Sequence, residues 1–272
     1  RFGYQKTEDP KKVLVIGGGP GGMEAARAAA VKGHKVTLYE KDSALGGQLK
    51  SAATPDFKSQ LRELVFWYIR QLELLRVKVK LNSGITADSP ELKSADAIII
   101  AAGAVPFTPD IKGIENTIDI ISAHAEPDKL MGKRIVYCGG GLSACDSALE
   151  TALKGKKTAI IEMMDEIAPN DHFINKAALL PMLKKNGAEI YTGHTVLEIQ
   201  ANGVRTQKKD GTEEFIPADT VVSAFGMKPN DAKAREIDAL YHYKTRIVGD
   251  CLKVGKVGSA VREGFFAGVT IE

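Results

Sequence analysis

The sequence predicts an α/β fold built twice from one βαβ plan. Three observations predict it. A glycine run set between an apolar strand pattern and a helix occurs twice. Each copy is closed by a glutamate at the same spacing, and each is followed by a further strand pattern ending in a glycine turn. Composition agrees. The 272 residues include 27 Gly, are 44% apolar and only 6% aromatic, which suits many tight strand-to-helix turns better than an all-β sandwich.

The first copy opens with the apolar run 13–16, followed by Gly17-Gly18-Gly19-Pro20-Gly21-Gly22. Residues 23–32 then read as helix, Gly33 ends it, and the β-rich run 36–39 is closed by Glu40. At an offset of 122 residues the layout returns: run 135–137, Gly139-Gly140-Gly141, helix 142–154, Gly155, run 158–161 and Glu162. Gly17 then aligns with Gly139, Gly19 with Gly141, Gly22 with Ala144 and Glu40 with Glu162. Run 96–103, ending in Ala102-Gly103, is matched by run 219–226, ending in Gly226. Between these elements, residues 56–76 carry apolar side chains at helical spacing, with Trp67 just off the stripe; this predicts a helix packed on a sheet. Residues 175–185 predict another helix, interrupted at Pro181, and Asp210-Gly211 predicts a hairpin turn.

These spacings are those of a dinucleotide site. The first glycine makes the tight turn after the strand. The second lets the backbone approach a pyrophosphate, and the third lets helix and strand pack closely. The helix start offers unpaired N–H groups and the positive end of its dipole. An acid ending the second strand accepts from a ribose diol. Gly17, Gly19, Gly22 and Glu40 meet these demands in the first copy. Gly139, Gly141, Ala144 and Glu162 meet them in the second. The predicted fold is therefore α/β with two Rossmann-like three-layer nucleotide-binding domains. A carboxylate at 162 pairs with a free 2′-hydroxyl and repels a 2′-phosphate, so NADH is favoured over NADPH. Lys156 and Lys157, close by in sequence, act against that preference.

Other classes are excluded. A net charge of +3 with interspersed signs predicts no nucleic-acid partner. The longest apolar run, 97–105, is far short of the roughly 20 residues a membrane span needs, so no membrane association is expected. Residues 1–10 are polar and show no signal peptide, and the first residue is Arg, from which a trimmed chain is expected. Cys138, Cys145 and Cys251 form no CxxC pair and cannot supply four metal ligands, so no metal is expected. They read as small buried thiols in a reducing cytoplasm. His34, His124, His172, His194 and His242 show no metal or triad spacing, so surface or packing roles and no catalytic side chain are expected.

The ordered set Gly17–Gly22, Glu40, Leu45-Gly46-Gly47-Gln48, Ala101-Ala102-Gly103, the second glycine run, Ala224-Phe225-Gly226 and Gly249-Asp250 resembles the two-dinucleotide-binding-domain flavoprotein reductases. In more detail it looks like the C-terminal half of the Old Yellow Enzyme-like NADH:flavin oxidoreductases, the group of dienoyl-CoA reductases, enoate reductases and trimethylamine dehydrogenase. The resemblance implies FAD in a discontinuous domain, 1–107 and 229–272, and NAD(H) in an inserted domain, 108–228. It adds Pro20, Lys41, Gly47, Gln48, Ala102, Gly103, Gly249 and Asp250 to the FAD site, with Asp250 on the flavin ribityl chain. It adds Gly226 and Asp146 to the nicotinamide site. Asp146 is expected in the first turn of its helix, either touching the nicotinamide or serving as an acid favoured by the helix dipole. The implied function is hydride transfer from NADH to FAD, with electrons passed to an N-terminal FMN barrel and Fe–S segment that this sequence lacks. Two alternatives stay open: a non-catalytic module binding ADP, and a free-standing reductase of a separate electron carrier.

Overall fold

The computed structural model describes residues 5–169 and 171–272. In chain order it contains β1 (Lys12–Ile16), α1 (Pro20–Val31), β2 (Lys35–Tyr39), α2 (Leu49–Ala52), α3 (Ser59–Leu74), β3 (Lys78–Lys80), α4 (Glu91–Ser94), β4 (Ala97–Ile100) and β5 (Ala104–Pro106). Next come β6 (Ile118–Asp119), α5 (Ile120–Ala125), β7 (Arg134–Cys138), α6 (Leu142–Leu153), β8 (Lys157–Glu162), α7 (Phe173–Lys185) and β9 (Glu189–Thr192). Four strands follow, β10 (His194–Gln200), β11 (Gly203–Lys208), β12 (Glu213–Pro217) and β13 (Thr220–Ser223). The chain ends with β14 (Met227–Pro229), α8 (Ala232–Tyr241), β15 (Thr245–Ile247) and α9 (Val257–Val269). Two compact units result. One comprises Arg1–Ala53, Lys58–Val105 and Met227–Glu272; the other comprises Thr54–Phe57 and Pro106–Gly226.

The first unit is built on a parallel sheet of order β15-β4-β1-β2-β3. Successive strand residues point to opposite faces. Val13 and Val15 therefore meet Met23, Ala26 and Ala29 of α1, Tyr68 and Leu72 of α3, and Ala267 of α9. Leu14, Ile98 and Ile100 meet Leu92 of α4 and Ala234 and Ile237 of α8 on the other face. Three layers follow, and each fully buried Ile or Leu contributes about 1.5–3 kcal/mol. Helices α1 and α9 lie so close that a Cβ at Gly264 would run into the Gly21 carbonyl, and one at Gly268 into that of Ala25. The helix predicted from residue 56 begins with a 3₁₀ turn, Asp56–Lys58, before α3. Trp67, half exposed on α3, lies against the Arg27 guanidinium at 5.7 Å.

The second unit repeats the sheet order as β6-β13-β7-β8-β9, again parallel. Ile135, Tyr137 and Ile160 pack against Ile120 of α5, Ala144 and Ala148 of α6, and Leu179 and Leu183 of α7. The buried Tyr137 hydroxyl is satisfied by Thr151 at 2.7 Å and Ser147 at 3.1 Å, which ties α6 to β7. On the opposite face Val136, Cys138, Ala159 and Ile161 meet Val196, Ile199, Val204 and Ile216. These come from the antiparallel sheet β10-β11-β12, so the outer layer here is β rather than helical. Asp210-Gly211 turns β11 into β12, with the Thr212 N–H donating to Asp210 Oδ1 at 2.9 Å. Pro181 does not interrupt its helix: α7 runs through it unbroken. A proline there removes one i→i−4 donor, and the carbonyl it leaves belongs to exposed Ala177, where water can take the bond. Among the described residues no helix is long and apolar enough to cross a membrane.

Candidate dinucleotide sites

In a doubly wound sheet, ligands bind beyond the carboxyl ends of the strands, where chain order reverses. In the first unit that point lies between β1 and β4. Gly17 leaves β1 with φ +102°, and a Cβ there would run into the Ala101 carbonyl that follows β4. Gly22 sits against the Gly17 carbonyl. Helix α1 starts at Pro20, with Gly19 as its N-cap and neither a side-chain cap nor an acid in the first turn. Its first i→i−4 bond is Met23 N–H to Gly19 O at 2.9 Å, so the N–H groups of Gly21 and Gly22 have no intrahelical acceptor.

Glu40, at the end of β2, is buried. Its Oε2 accepts from Gly18 N–H at 2.6 Å and its Oε1 from Asp42 N–H at 2.8 Å. An ionised carboxylate has about four acceptor positions, which leaves two for hydroxyls. Lys41 follows, exposed. The loop after it closes on the glycine turn: Gly46 N–H donates to Gly18 O at 2.8 Å, and a Cβ on Gly47 would lie 2.9 Å from Gly19 Cα. Gln48 Nε2 donates to the Ala104 carbonyl. Ala102 and Gly103 lead out of β4, and their carbonyls accept from Asn230 Nδ2 and N–H at 3.3 and 3.0 Å. Gly249 and Asp250 follow β15, the strand beside β4. Asp250 Oδ1 accepts from Gly255 N–H at 3.0 Å. Partial burial pushes its carboxyl above the usual range, against the opposing effect of that bond, and the Glu263 charge adds to the rise.

The second unit reproduces the glycine turn and the two bonds of its closing acid. Gly139 leaves β7 with φ +111°, and its Cβ would run into the Ala224 carbonyl after β13. Gly141 is the N-cap of α6, and a Cβ on it would meet nothing within 4 Å. Glu162 Oε2 accepts from Gly140 N–H at 2.7 Å and Oε1 from Met164 N–H at 2.8 Å. Ala144 is buried in the first turn of α6. The Gly226 carbonyl accepts from Phe107 N–H at 2.9 Å. The repeat extends past the closing acids. Ala168 N–H donates to Gly140 O at 2.7 Å, as Gly46 does to Gly18, with Ile167 in the place of Leu45.

Two expectations are corrected. Asp146 is not in the first turn: α6 begins at Leu142, which puts Asp146 in the second turn, where it is 8% exposed. Its side chain is therefore one turn removed from the N–H groups at the helix start. Lys156 and Lys157 are not near Glu162. Lys157 opens β8 and Lys156 precedes it, so both lie about 16 Å or more from Glu162 along the backbone at ~3.3 Å per residue, with Lys156 Nζ donating to the Leu130 carbonyl. One residue the sequence reading passed over is Glu24, which holds in α1 the place that Asp146 holds in α6. It is 4% exposed and forks to Arg27 Nε and Nη2, both at 2.7 Å. Carrying the 122-residue register through the helix would have found it.

The three cysteines are free and buried. Burial pushes the Cys138 and Cys145 thiols up to about 12, and raises that of Cys251. A raised pKa stabilises the fold below the unfolded thiol value, about 8.5, and that contribution fades as pH rises from there toward 12. The urea midpoint is expected to fall between pH 8 and pH 10. Each thiol adds up to about 1.4 kcal/mol per pH unit. At pH 8 an aromatic disulfide reagent is expected to label no thiol in native protein and all three in urea; rapid native labelling would contradict the burial. The histidines split by environment. His34 and His124 are buried, while His194 and His242 pair with Glu214 and Asp238 at 3.2 and 3.1 Å.

The profile of the pyridine nucleotide-disulphide oxidoreductase family matches residues 11–251. The NADH oxidase of Thermoanaerobacter brockii is 38% identical over 264 residues, covering 94% of this chain and 40% of that protein. The cinnamate reductase of Clostridium sporogenes is 34% identical over 264 residues, covering 96% and 39%. Among solved structures, a 2-naphthoyl-CoA reductase complex superposes with TM-score 0.92 at 33% identity, covering 98% of this chain and 41% of that one. The chain thus spans about two-fifths of the length of these relatives. These similarities bear out the resemblance to flavoprotein reductases, and the chain belongs to the pyridine nucleotide-disulphide oxidoreductase family.

Proposed function

We propose that this chain is the electron-input module of an NADH-dependent flavoprotein, binding FAD in its first unit and NADH in its second. The observation that carries the reading is the duplicated site. Each sheet sets an open glycine turn, an uncapped helix start and a carboxylate with two acceptor positions to spare at the carboxyl edge of its strands. Each of the three parts has a partner on a dinucleotide: the turn and helix start face the pyrophosphate, and the carboxylate faces a ribose diol.

In this assignment Gly17, Gly19, Pro20, Gly22, Glu40, Lys41, Gly47, Gln48, Ala102, Gly103, Gly249 and Asp250 hold FAD. Gly139, Gly141, Ala144, Asp146, Glu162 and Gly226 hold the nicotinamide nucleotide. FAD, when bound, supplies a two-electron acceptor for hydride and a donor for onward transfer. The protein's part is to bind, orient and exclude water, which needs no nucleophile; the buried high-pKa thiols are unsuited to disulfide exchange. Relatives more than twice as long leave room for a further portion that takes the electrons; the resemblance assigns FMN and an Fe–S cluster to it. The sparse free thiols fit a cytoplasmic setting.

The test is reconstitution with FAD, removal of the excess, and anaerobic titration with NADH. Flavin absorption that is retained and bleaches is the expected result. A folded chain that retains no flavin sinks the proposal and favours the ADP-binding alternative.

A further inference from the structure

We propose that Glu263 is a positioning residue of the FAD site: its carboxylate anchors the Gly249–Asp250 turn and so aims Asp250 at the flavin's ribityl hydroxyls. The inference rests on the assignment of FAD to the first unit. Three observations carry it. Glu263 Oε2 accepts from Gly249 N–H at 2.7 Å, a charge-assisted bond reaching from α9 back to the carboxyl end of β15. Gly249 has φ +71°, and a Cβ built on it would lie 3.4 Å from Ala260 Cβ, so the turn is seated on the same helix one turn before Glu263. Another tether of the turn, Gly255 N–H to Asp250 Oδ1, occupies an acceptor of the Asp250 carboxylate itself. Glu263 thus fixes the backbone without drawing on the oxygens that would meet the ligand.

Helix α9 is a rigid base for this contact. It is pressed on α1 through Gly264 and Gly268, next to the glycine turn that starts α1. A shift of the Gly249 peptide would leave a partly buried carboxylate and an N–H without partners. The Glu263 bond therefore couples the Asp250 turn to the α1–α9 pair, which also presents the helix start at Gly19–Gly22. Nothing in sequence spacing marks this contact, because the partners are 14 residues apart across a loop.

The experiment uses the full chain and reads FAD affinity by quenching of flavin fluorescence. Folding is checked by circular dichroism without FAD. Glu263→Ala is expected to weaken FAD binding about ten- to a hundredfold, the range for losing a hydrogen bond to a charged group. Glu263→Asp, one methylene too short to reach the N–H, is expected to behave alike. Glu263→Gln retains an acceptor at the right reach and is expected to stay within about fivefold of the parent. A purely structural role would lower stability without this order of affinities. Folded Glu263→Ala binding FAD within about twofold of the parent overturns the proposal. If that variant does not fold, Asp binding as well as Gln overturns it. A parent chain that binds no FAD overturns the FAD assignment as well, which separates the two failures.

Discussion

Replacing Gly139 by Val is expected to abolish flavin reduction by NADH while leaving FAD bound, and replacing Gly17 by Val is expected to strip FAD from the protein. Both glycines leave their strands at positive φ, +111° and +102°, beyond the small left-handed region that other residues visit. A β-branched residue there costs more than the roughly 1–2 kcal/mol of an ordinary left-handed residue. The Cβ would also run into the Ala224 or Ala101 carbonyl. The turn must open to relieve this, which moves Gly140 and Gly141, or Gly18 and Gly19, away from the helix start. A loss of ~3 kcal/mol, or more than about a hundredfold in nucleotide affinity, follows. The effects separate because each unit has its own pair of apolar clusters. Absorbance of retained flavin and anaerobic rapid mixing with NADH measure the two outcomes. Gly139→Val protein that is reduced at the parent rate would remove the second unit from the reaction.

The repeat was legible because glycine turns and closing acids are local features, and backbone geometry leaves few residue types for them. Gly17, Gly19, Glu40 and their counterparts could be read at fixed spacing, and the strands beside them by apolar runs. What could not be read lies where unlike sequence performs the same task. Ala168 takes the backbone position of Gly46, at φ +48°, and makes the same bond to the middle glycine. No pattern of residue types announces that an alanine stands there. The β outer layer of the second unit was read only as a hairpin, because strand alternation does not say which sheet a hairpin covers. Asp146 lies one turn later than expected although the helix start at Leu142 is legible: it is the fifth helical residue, and a turn holds only 3.6. A glutamate in an Ala-rich helix reads as solvent-facing, which hides Glu24; its burial depends on Arg27, three residues on, and on Tyr68 of α3, with which it is hydrogen-bonded. Lys156 and Lys157 misled through nearness in sequence: a strand of six residues put its own length between them and Glu162.

On the proposed assignment of NADH to the second unit, removing the charge at Glu162 is expected to collapse its discrimination against NADPH. A carboxylate about 4 Å from a 2′-phosphate repels it by ~4 kcal/mol per unit charge at an effective dielectric of ~20, enough to exclude NADPH. The same side chain also orders the turn, through Gly140 N–H at 2.7 Å and Met164 N–H at 2.8 Å. Glu162→Ala therefore lowers kcat/KM for NADH about ten- to a hundredfold through lost charged hydrogen bonds. The turn disorder is common to both nucleotides and cancels in their ratio, which is expected to narrow by about a hundredfold or more. Glu162→Gln separates the two contributions. Its carbonyl oxygen can still accept from Gly140, while its amide cannot accept from Met164, so one turn bond survives and the charge does not. NADPH is then expected to gain in absolute kcat/KM, measured by flavin bleaching under anaerobic conditions. A ratio unchanged in both variants would mean that another group selects the nucleotide. Lys156→Ala and Lys157→Ala together are expected to leave the ratio untouched, because both stand at the opposite end of β8 from Glu162, a backbone span of about 16 Å or more against a Debye length of ~8–10 Å.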